Sequence, residues 1–452
     1  MTSIRLVAAR LLLDVEARRA TLAGALDRAY PSSGDPRDIG LLVELTAGTL
    51  RWQNELDALI ARASRRPVAE IDAPARAVLR LGAYQLRHLD RVPAHAVVHE
   101  AVESVRALGA PRAAGFVNAV LRTLARGEGG DALPRPPPPT ASAADQVAHL
   151  TTTLSHPAWL VERWIARYGF HAAARWCEFN NAPPTLTIRP RTGHAIDDIA
   201  ARLAAEGIPA DRSPYVVDAL RLPPGALGRL PDDLRADVRV QDEGSQIVAR
   251  LVGSRPGERV LDACAAPGGK TIMLAEDMTR PAPSADSMLV ASDWRPRRVE
   301  LLAAVLRSAG HAVPVVALDA ARALPFGAIF DRVLLDAPCS GLGTLRRDPD
   351  LKWTRTAGDL PELARIERAM LTCAAEAVRP GGRLIYATCS SEPEENLDVV
   401  RAFLDDDSRF GLEPVTGLDR ELVTADGCLT TTPPAHGLDA FFAAVLVRHS
   451  GA

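Results

Sequence analysis

From about residue 255 onward, short apolar runs alternate with stretches of helical periodicity, and few folds accommodate that pattern. Strands are expected over Arg259–Cys264, Met288–Ser292, Val313–Leu318, Arg332–Leu335, Arg383–Ala387 and Phe441–Val447, with helices between them such as Trp294–Ala309 and Leu360–Val378. The first five runs are short, apolar and nearly uninterrupted, as strands covered on both faces must be. Such alternation implies a parallel, doubly wound α/β sheet, in which the turns after the strands form the binding crevice. Two of those turns carry a cysteine: Cys339 in Val333–Leu345 (VLLDAPCSGLGTL) and Cys389 in Leu384–Ser391 (LIYATCSS). Together with Asp336 they would converge on one site.

The first strand runs into Asp262–Lys270 (DACAAPGGK). Its small residues and two glycines let a ligand approach the backbone closely, and the following helix offers its N-terminal N–H groups. The loop is neither the dinucleotide fingerprint nor a P-loop, because Cys264 stands where the first P-loop glycine would be. Asp293 ends the second strand, where an acid suits the ribose hydroxyls of a nucleoside cofactor, and Asp319 follows the third, placed to meet the base. Each Asp alone is more often a helix cap; loop and acids at three successive strand ends read as a cofactor site.

At 452 residues the chain needs two or three domains. The net charge of −3 gives no general attraction to nucleic acid. Between Arg5 and Arg122, however, 17 arginines face 13 acids. Lysine occurs only at 270 and 352, both inside the motif stretches. The six cysteines form no C-x-x-C pair and have no histidine cluster beside them, so neither a zinc site nor a disulfide framework is expected. The N-terminus is broken by Arg5, Arg10 and Asp14, unlike a signal peptide, and no run approaches the ~20 apolar residues of a membrane span. A cytoplasmic protein with reduced thiols is the expectation.

Residues 1–126 read as an all-helical domain, with helical spacing over Ile4–Val15, Ile39–Ile60, Ala75–Leu86, Ala94–Leu108 and Phe116–Leu124. Turn residues such as Pro31–Gly34 separate them. Residues 127–144 form a Pro-rich linker whose Pro136–Pro139 run would hold it extended. Residues 145–240 suggest a small α+β middle subdomain: helix to Asn181, strands near Pro184–Arg191 and Val216–Leu222, and a helix over Ile196–Gly207. The catalytic domain then spans 241–452.

Asp262–Lys270, Asp336–Gly341 (DAPCSG) and Thr388-Cys389-Ser390 closely resemble the RsmB/Sun family of bacterial ribosomal RNA cytosine-5 methyltransferases. Ser155–Leu160 (SHPAWL) and Gln241–Ser245 (QDEGS) are similar to its middle region. Glu44–Arg51 (ELTAGTLR) and Phe116–Arg122 (FVNAVLR) are similar to the NusB-type helical domain at the front of its bacterial members. Two departures stand out: Thr187-Ile188-Arg189 replaces a common Arg-Val-Asn, which puts any RNA contact through that Asn in doubt, and His99 replaces a common Asn.

The resemblance implies a Rossmann-like domain that uses S-adenosyl-L-methionine, a ribosomal RNA substrate (the small-subunit RNA), no metal, and no need for more than a monomer. It makes Cys389 the nucleophile, Cys339 the group that assists product release, and Asp336 the residue that recognises the base. Cys264, Ala265, Ala266, Pro267, Gly268, Gly269, Lys270, Asp293, Asp319 and Asp336 would line the cofactor site. Arg346, Arg347, Lys352 and Trp353, cations beside an aromatic, suit phosphates and a stacked base, or else a solvated loop. Packing accounts for Cys177, Cys373 and Cys428. Pro393-Glu394-Glu395-Asn396 reads as a helix start without chemistry. Two other readings remain: a DNA cytosine-5 methyltransferase whose nucleophile is the Pro338-Cys339 turn, and a non-catalytic RNA-binding assembly factor.

Overall fold

The computed structural model describes residues 3–29, 35–127, 133–138, 141–280 and 282–451. The chain divides into two compact units, Met1–Pro183 with Leu345–Ala357, and Pro184–Thr344 with Gly358–Ala452.

The first unit is helical. Its helices span Ile4–Glu16, Leu22–Ala29, Pro36–Arg51, Gln53–Ser64, Ala73–His88, Ala94–Ala107, Ala114–Ala125, Ala143–Ala148, Ala158–Tyr168 and Phe170–Asn181. Apolar faces at helical spacing close a core that includes Leu42, Leu45, Leu56, Ile60, Leu79 and Leu121. The expected single helix Ile39–Ile60 is two helices, because Trp52 (φ −108°, ψ 16°) leaves helical geometry between them. Asp35 starts the first of these by accepting from the Arg37 N–H at 2.8 Å. The expected turn Pro31–Gly34 lies outside the described residues, as do residues 128–132, Pro139 and Thr140 of the expected linker. The described part of that linker is anchored at Pro134, whose carbonyl accepts from Thr153 Oγ1 at 2.6 Å and contacts His149 Nδ1 at 3.0 Å. The helices between Ala143 and Asn181 group with this unit rather than with the strands that follow them.

The second unit holds two sheets. The smaller comprises β1 (Leu186–Pro190), β2 (Asp211–Arg212), β3 (Leu220–Leu222) and β4 (Val238–Val240) in the antiparallel order β2-β3-β1-β4. The larger comprises β5 (Arg259–Asp262), β6 (Met288–Asp293), β7 (Val315–Ala317), β8 (Phe330–Asp336), β9 (Val378–Thr388), β10 (Phe410–Glu413), β11 (Leu429–Thr431) and β12 (Phe441–Arg448). Its order is β10-β12-β9-β8-β5-β6-β7, with β11 also on β12. β7-β6-β5-β8-β9 are parallel, as the apolar runs imply; β12 is antiparallel to β9, so the sheet is mixed. β12 joins from the far side and pairs Phe442 with Thr388, next to the Cys389 turn.

Candidate active site

β5, β8 and β9 end side by side, and their turns carry Asp262, Asp336–Cys339 and Cys389. Asp336 pairs with Ala387 in register, so the two cysteine turns leave adjacent strands at the same level. Cys339 Sγ and Cys389 Sγ lie 3.4 Å apart, and both residues are half-buried. The Cys339 thiol is pushed well up, first by its hydrogen bond to Cys389, then by burial and by the nearby Cys389, Glu395 and Glu367. It therefore keeps its proton.

Backbone packing fixes the Cys389 turn. The Gly343 N–H donates to the Cys389 carbonyl at 2.9 Å, and the Ala440 N–H to the Gly343 carbonyl at 2.9 Å. A Cβ at 343 would stand 2.1 Å from the Ala440 oxygen, so this approach requires glycine. Asn396 holds the turn from both flanks: its amide pairs with Thr388 Oγ1 and donates to the Ser390 carbonyl at 3.0 Å. Glu395 accepts from the Ser340 N–H and Ser340 Oγ, each at 2.6 Å, and from Ser390 Oγ. Sequence reasoning gave Glu395 and Asn396 no chemistry, because their stretch opens a helix and that alone explained it.

Lys270 and Asp336 are brought together. Lys270 Nζ donates to Asp336 Oδ2 at 2.7 Å, and Asp336 Oδ1 makes no hydrogen bond among the described residues. Burial opposes the Lys270 charge, but Asp336 outweighs it and the ammonium is held above its ordinary value. Lys270 Nζ also sits 5.9 Å from the Phe441 ring centre.

The cofactor-loop residues Cys264, Ala265, Ala266, Pro267, Gly268 and Gly269 follow β5, and the peptide before Pro267 is cis. Gly268 takes φ +112°, a conformation only glycine adopts readily. Arg298, which sequence reasoning missed, ties this loop to β6: its Nη2 donates to the Ala266 carbonyl at 2.6 Å and its Nε pairs with Asp293 at 3.1 Å. Asp293 is buried there and also accepts from the Arg295 N–H at 3.2 Å. Asp319 accepts from the Ala321 N–H at 3.0 Å and pairs with Arg322 at 3.2 Å, so it also organises its own turn.

Asp262 is a further residue that sequence reasoning left out of the site. Its Oδ2 accepts from Thr271 Oγ1 at 2.7 Å, while Oδ1 is buried without a partner among the described residues. Burial, chiefly, pushes its carboxyl up to about 7. An unpaired carboxylate oxygen under a small-residue loop, with Asp293 and Asp336 on flanking strands, suits a cationic nucleoside ligand. The residues present therefore fit S-adenosylmethionine, whose sulfonium and ammonium are positive.

The expectation of an RNA contact through Lys352 fails, because its side chain is held inside the first unit, while Trp353 is half-buried against that unit's core. Lys352 is 1% exposed, and its Nζ donates to the Arg51 carbonyl at 3.0 Å, the Ser155 carbonyl at 3.2 Å and Asn181 Oδ1 at 2.8 Å. Trp353 Nε1 donates to the Leu50 carbonyl at 2.7 Å, and Asp350 Oδ2 accepts from the Leu22 N–H at 3.1 Å. Arg346 donates to the Ala182 and Pro183 carbonyls, with its guanidinium 4.4 Å from the Phe179 ring centre. Arg347 remains exposed. Arg189, at the departure from Arg-Val-Asn, is also buried: it donates to Glu276 at 2.7 Å and to Gln241 at 2.8 Å.

Among the described residues no group of His, Cys, Asp and Glu could hold a metal ion, and no helix is long and apolar enough to cross a membrane.

Three family models match the chain: NusB over residues 2–126, the RsmF/B-like ferredoxin-like domain over 156–225, and 16S rRNA methyltransferase RsmB/F over 249–447. The chain is 34% identical over 454 residues to a probable ribosomal RNA small subunit methyltransferase B of Bacillus subtilis, covering 98% of each chain. It is 38% identical over 407 residues to the ribosomal RNA small subunit methyltransferase B of Pseudomonas putida, covering 88% of each. Among solved structures it is similar to a methyltransferase homologue from Pyrococcus horikoshii, with 27% identity and a TM-score of 0.57 over 68% of this chain and all of the other. The chain therefore belongs to the RsmB/F family of 16S rRNA methyltransferases.

Proposed function

We propose that this enzyme forms 5-methylcytidine in small-subunit ribosomal RNA through a covalent cysteine–cytosine adduct. The observation that carries the reading is the contact between Cys339 and Cys389 at adjacent strand ends beside Asp336. Carbon-5 of cytosine is a poor nucleophile. Addition of the Cys389 thiolate to carbon-6 forms a C–S bond and turns the ring into an enamine, which makes carbon-5 nucleophilic. The base is flipped from its strand to reach the thiol. Asp336 Oδ1 accepts from the base's amino group and from ring nitrogen-3 once water has protonated it as the adduct forms, neutralising the charge that develops there, while Lys270 fixes Oδ2 and so the carboxylate's orientation.

S-adenosylmethionine, when bound, supplies an electrophilic methyl group. Asp262, the Cys264–Lys270 loop, Asp293, Asp319 and Asp336 hold it in this reading. After transfer, water takes the carbon-5 proton, the electron pair of that C–H bond restores the ring double bond, and the C–S bond breaks with its electron pair returning to the Cys389 thiolate. Cys339, in contact with Cys389, assists this release. Arg346 and Arg347 remain the candidates for phosphate contacts. Every group invoked comes from one chain, so a monomer suffices, and a ribosomal RNA substrate supports action in the cytoplasm.

Full-length Cys389→Ala and Cys339→Ala variants, incubated with ribosomal RNA and the methyl donor and run on denaturing gels, test this. Cys339→Ala should accumulate a covalent protein–RNA adduct, and Cys389→Ala should neither trap nor methylate. Activity retained in Cys389→Ala and lost in Cys339→Ala would transfer the nucleophile to Cys339 and favour the DNA-type arrangement.

A further inference from the structure

Each thiol is followed by a serine, Ser340 after Cys339 and Ser390 after Cys389, and both serines end on the same carboxylate. Glu395 is fully buried. Its Oε1 accepts from the Ser340 N–H, and its Oε2 accepts from both hydroxyls, which themselves stand 3.3 Å apart. A carboxylate accepting three donors in a dry site makes strong, directional bonds. The three donors belong to two turns on different strands, so the group acts as a rivet through both. Its own backbone is held in turn: the Glu395 carbonyl accepts from Tyr386 Oη, on β9, at 2.6 Å. Glu367 beside it is pushed up to about 10, by burial first and by Glu395 next, so it keeps its proton and does not repel the bridging carboxylate at neutral pH.

We propose that Glu395 is the positioning residue that holds the Cys339 and Cys389 turns at contact distance, so that nucleophile and release group act on one base. The inference deepens the two-thiol reading and rests on it. Glu395 touches neither reacting carbon; it acts through Ser340 and Ser390.

The test uses the full chain with two variants. Glu395→Gln keeps the side-chain volume but replaces one acceptor with a donor, and the Ser340→Ala, Ser390→Ala pair removes both hydroxyls while leaving the carboxylate. Dibromobimane, which fluoresces on bridging two neighbouring thiols, reports the pair directly, with peptide mapping to assign the bridge; thermal melting gives the folded fraction. In both variants, bridging of Cys339 to Cys389 and kcat per folded enzyme should fall at least about tenfold, with KM for RNA within about twofold of wild type. If bridging and kcat per folded enzyme both stay within about twofold, Glu395 is only a buried structural acid and the proposal is overturned. Bridging is read without RNA, so it judges Glu395 even if wild type and Cys339→Ala form no adduct, the result that would instead sink the two-thiol reading.

Discussion

Cys339 Sγ touches Cys389 Sγ at 3.4 Å, and neither is in a disulfide. Two thiols so close are one oxidation away from each other. With hydrogen peroxide as oxidant, one thiol gives a sulfenic acid and the other displaces water, forming the S–S bond. Mild peroxide should lower the protein mass by two hydrogens, abolish methylation, and be reversed by a dithiol reductant. Peptide mapping should place the link between 339 and 389; overoxidised Cys389 with no link would contradict this.

In the site proposed above, Asp262 would make binding of the methyl donor depend on pH. Burial raises its carboxyl to about 7, above the ordinary 3.8, so the folded state holds the proton more tightly than the unfolded one. This group's contribution to stability is therefore greatest at low pH and is lost as pH rises toward 7. A cationic ligand prefers the ionised form, so donor affinity should move the opposite way, tightening about tenfold between roughly pH 6 and pH 8. Calorimetric titration of wild type should show that slope, and Asp262→Asn should bind weakly with a flat profile.

Removing the Lys352 amino group leaves three buried acceptors, the Arg51 and Ser155 carbonyls and Asn181 Oδ1. Lys352→Met should cost about 3 kcal/mol or more of the first unit's stability. Lys352→Arg should not restore it, because a planar fork cannot replace a compact amino group on which three contacts converge. Chemical denaturation followed by tryptophan fluorescence measures both.

Gly343→Ala puts a methyl group against the Ala440 and Cys389 carbonyl oxygens, at 2.1 and 2.6 Å before any relaxation. Backbone atoms must move, and the Gly343 N–H to Cys389 bond goes with them. The variant should lose about 3 kcal/mol of stability and most of its methylation rate, whereas Gly228→Ala, with open space around it and no left-handed backbone, should leave the rate unchanged.

Arg189→Asn tests the departure from Arg-Val-Asn noted in the sequence. Here Arg189 is the closest cation to the buried Glu276 carboxylate, with Arg239 at 3.6 Å as the other partner. The change should cost about 3 kcal/mol rather than improve RNA binding, because it strands a buried charge. Urea unfolding and an RNA-binding assay on the same preparation separate the two outcomes.

The parallel strands, the loop at Asp262–Lys270 and the two cysteine turns were legible because apolar runs and special turn residues are local signals. The antiparallel sense of β12 was not, since an apolar run carries no direction. β2 and β4 are two and three residues long, too short for any alternation to show. Lys352 was misread because a cation beside an aromatic has the same spacing on an RNA-facing loop as in a packed one; only burial separates them. Glu395 was missed because an acid at a helix start has a sufficient local explanation, and its bond to Ser340 spans 55 residues.

The segment Leu345–Ala357 follows the Cys339 turn directly, yet it is grouped with Met1–Pro183. The chain is therefore interleaved, like a thread sewn back through cloth already passed. A fragment beginning near residue 126 would carry Lys352 and Trp353 without the Arg51 and Leu50 carbonyls that receive them. Engineering of this enzyme must treat the front helices and the thirteen residues after Thr344 as one exchangeable cassette, two cuts in the gene for a single piece of protein.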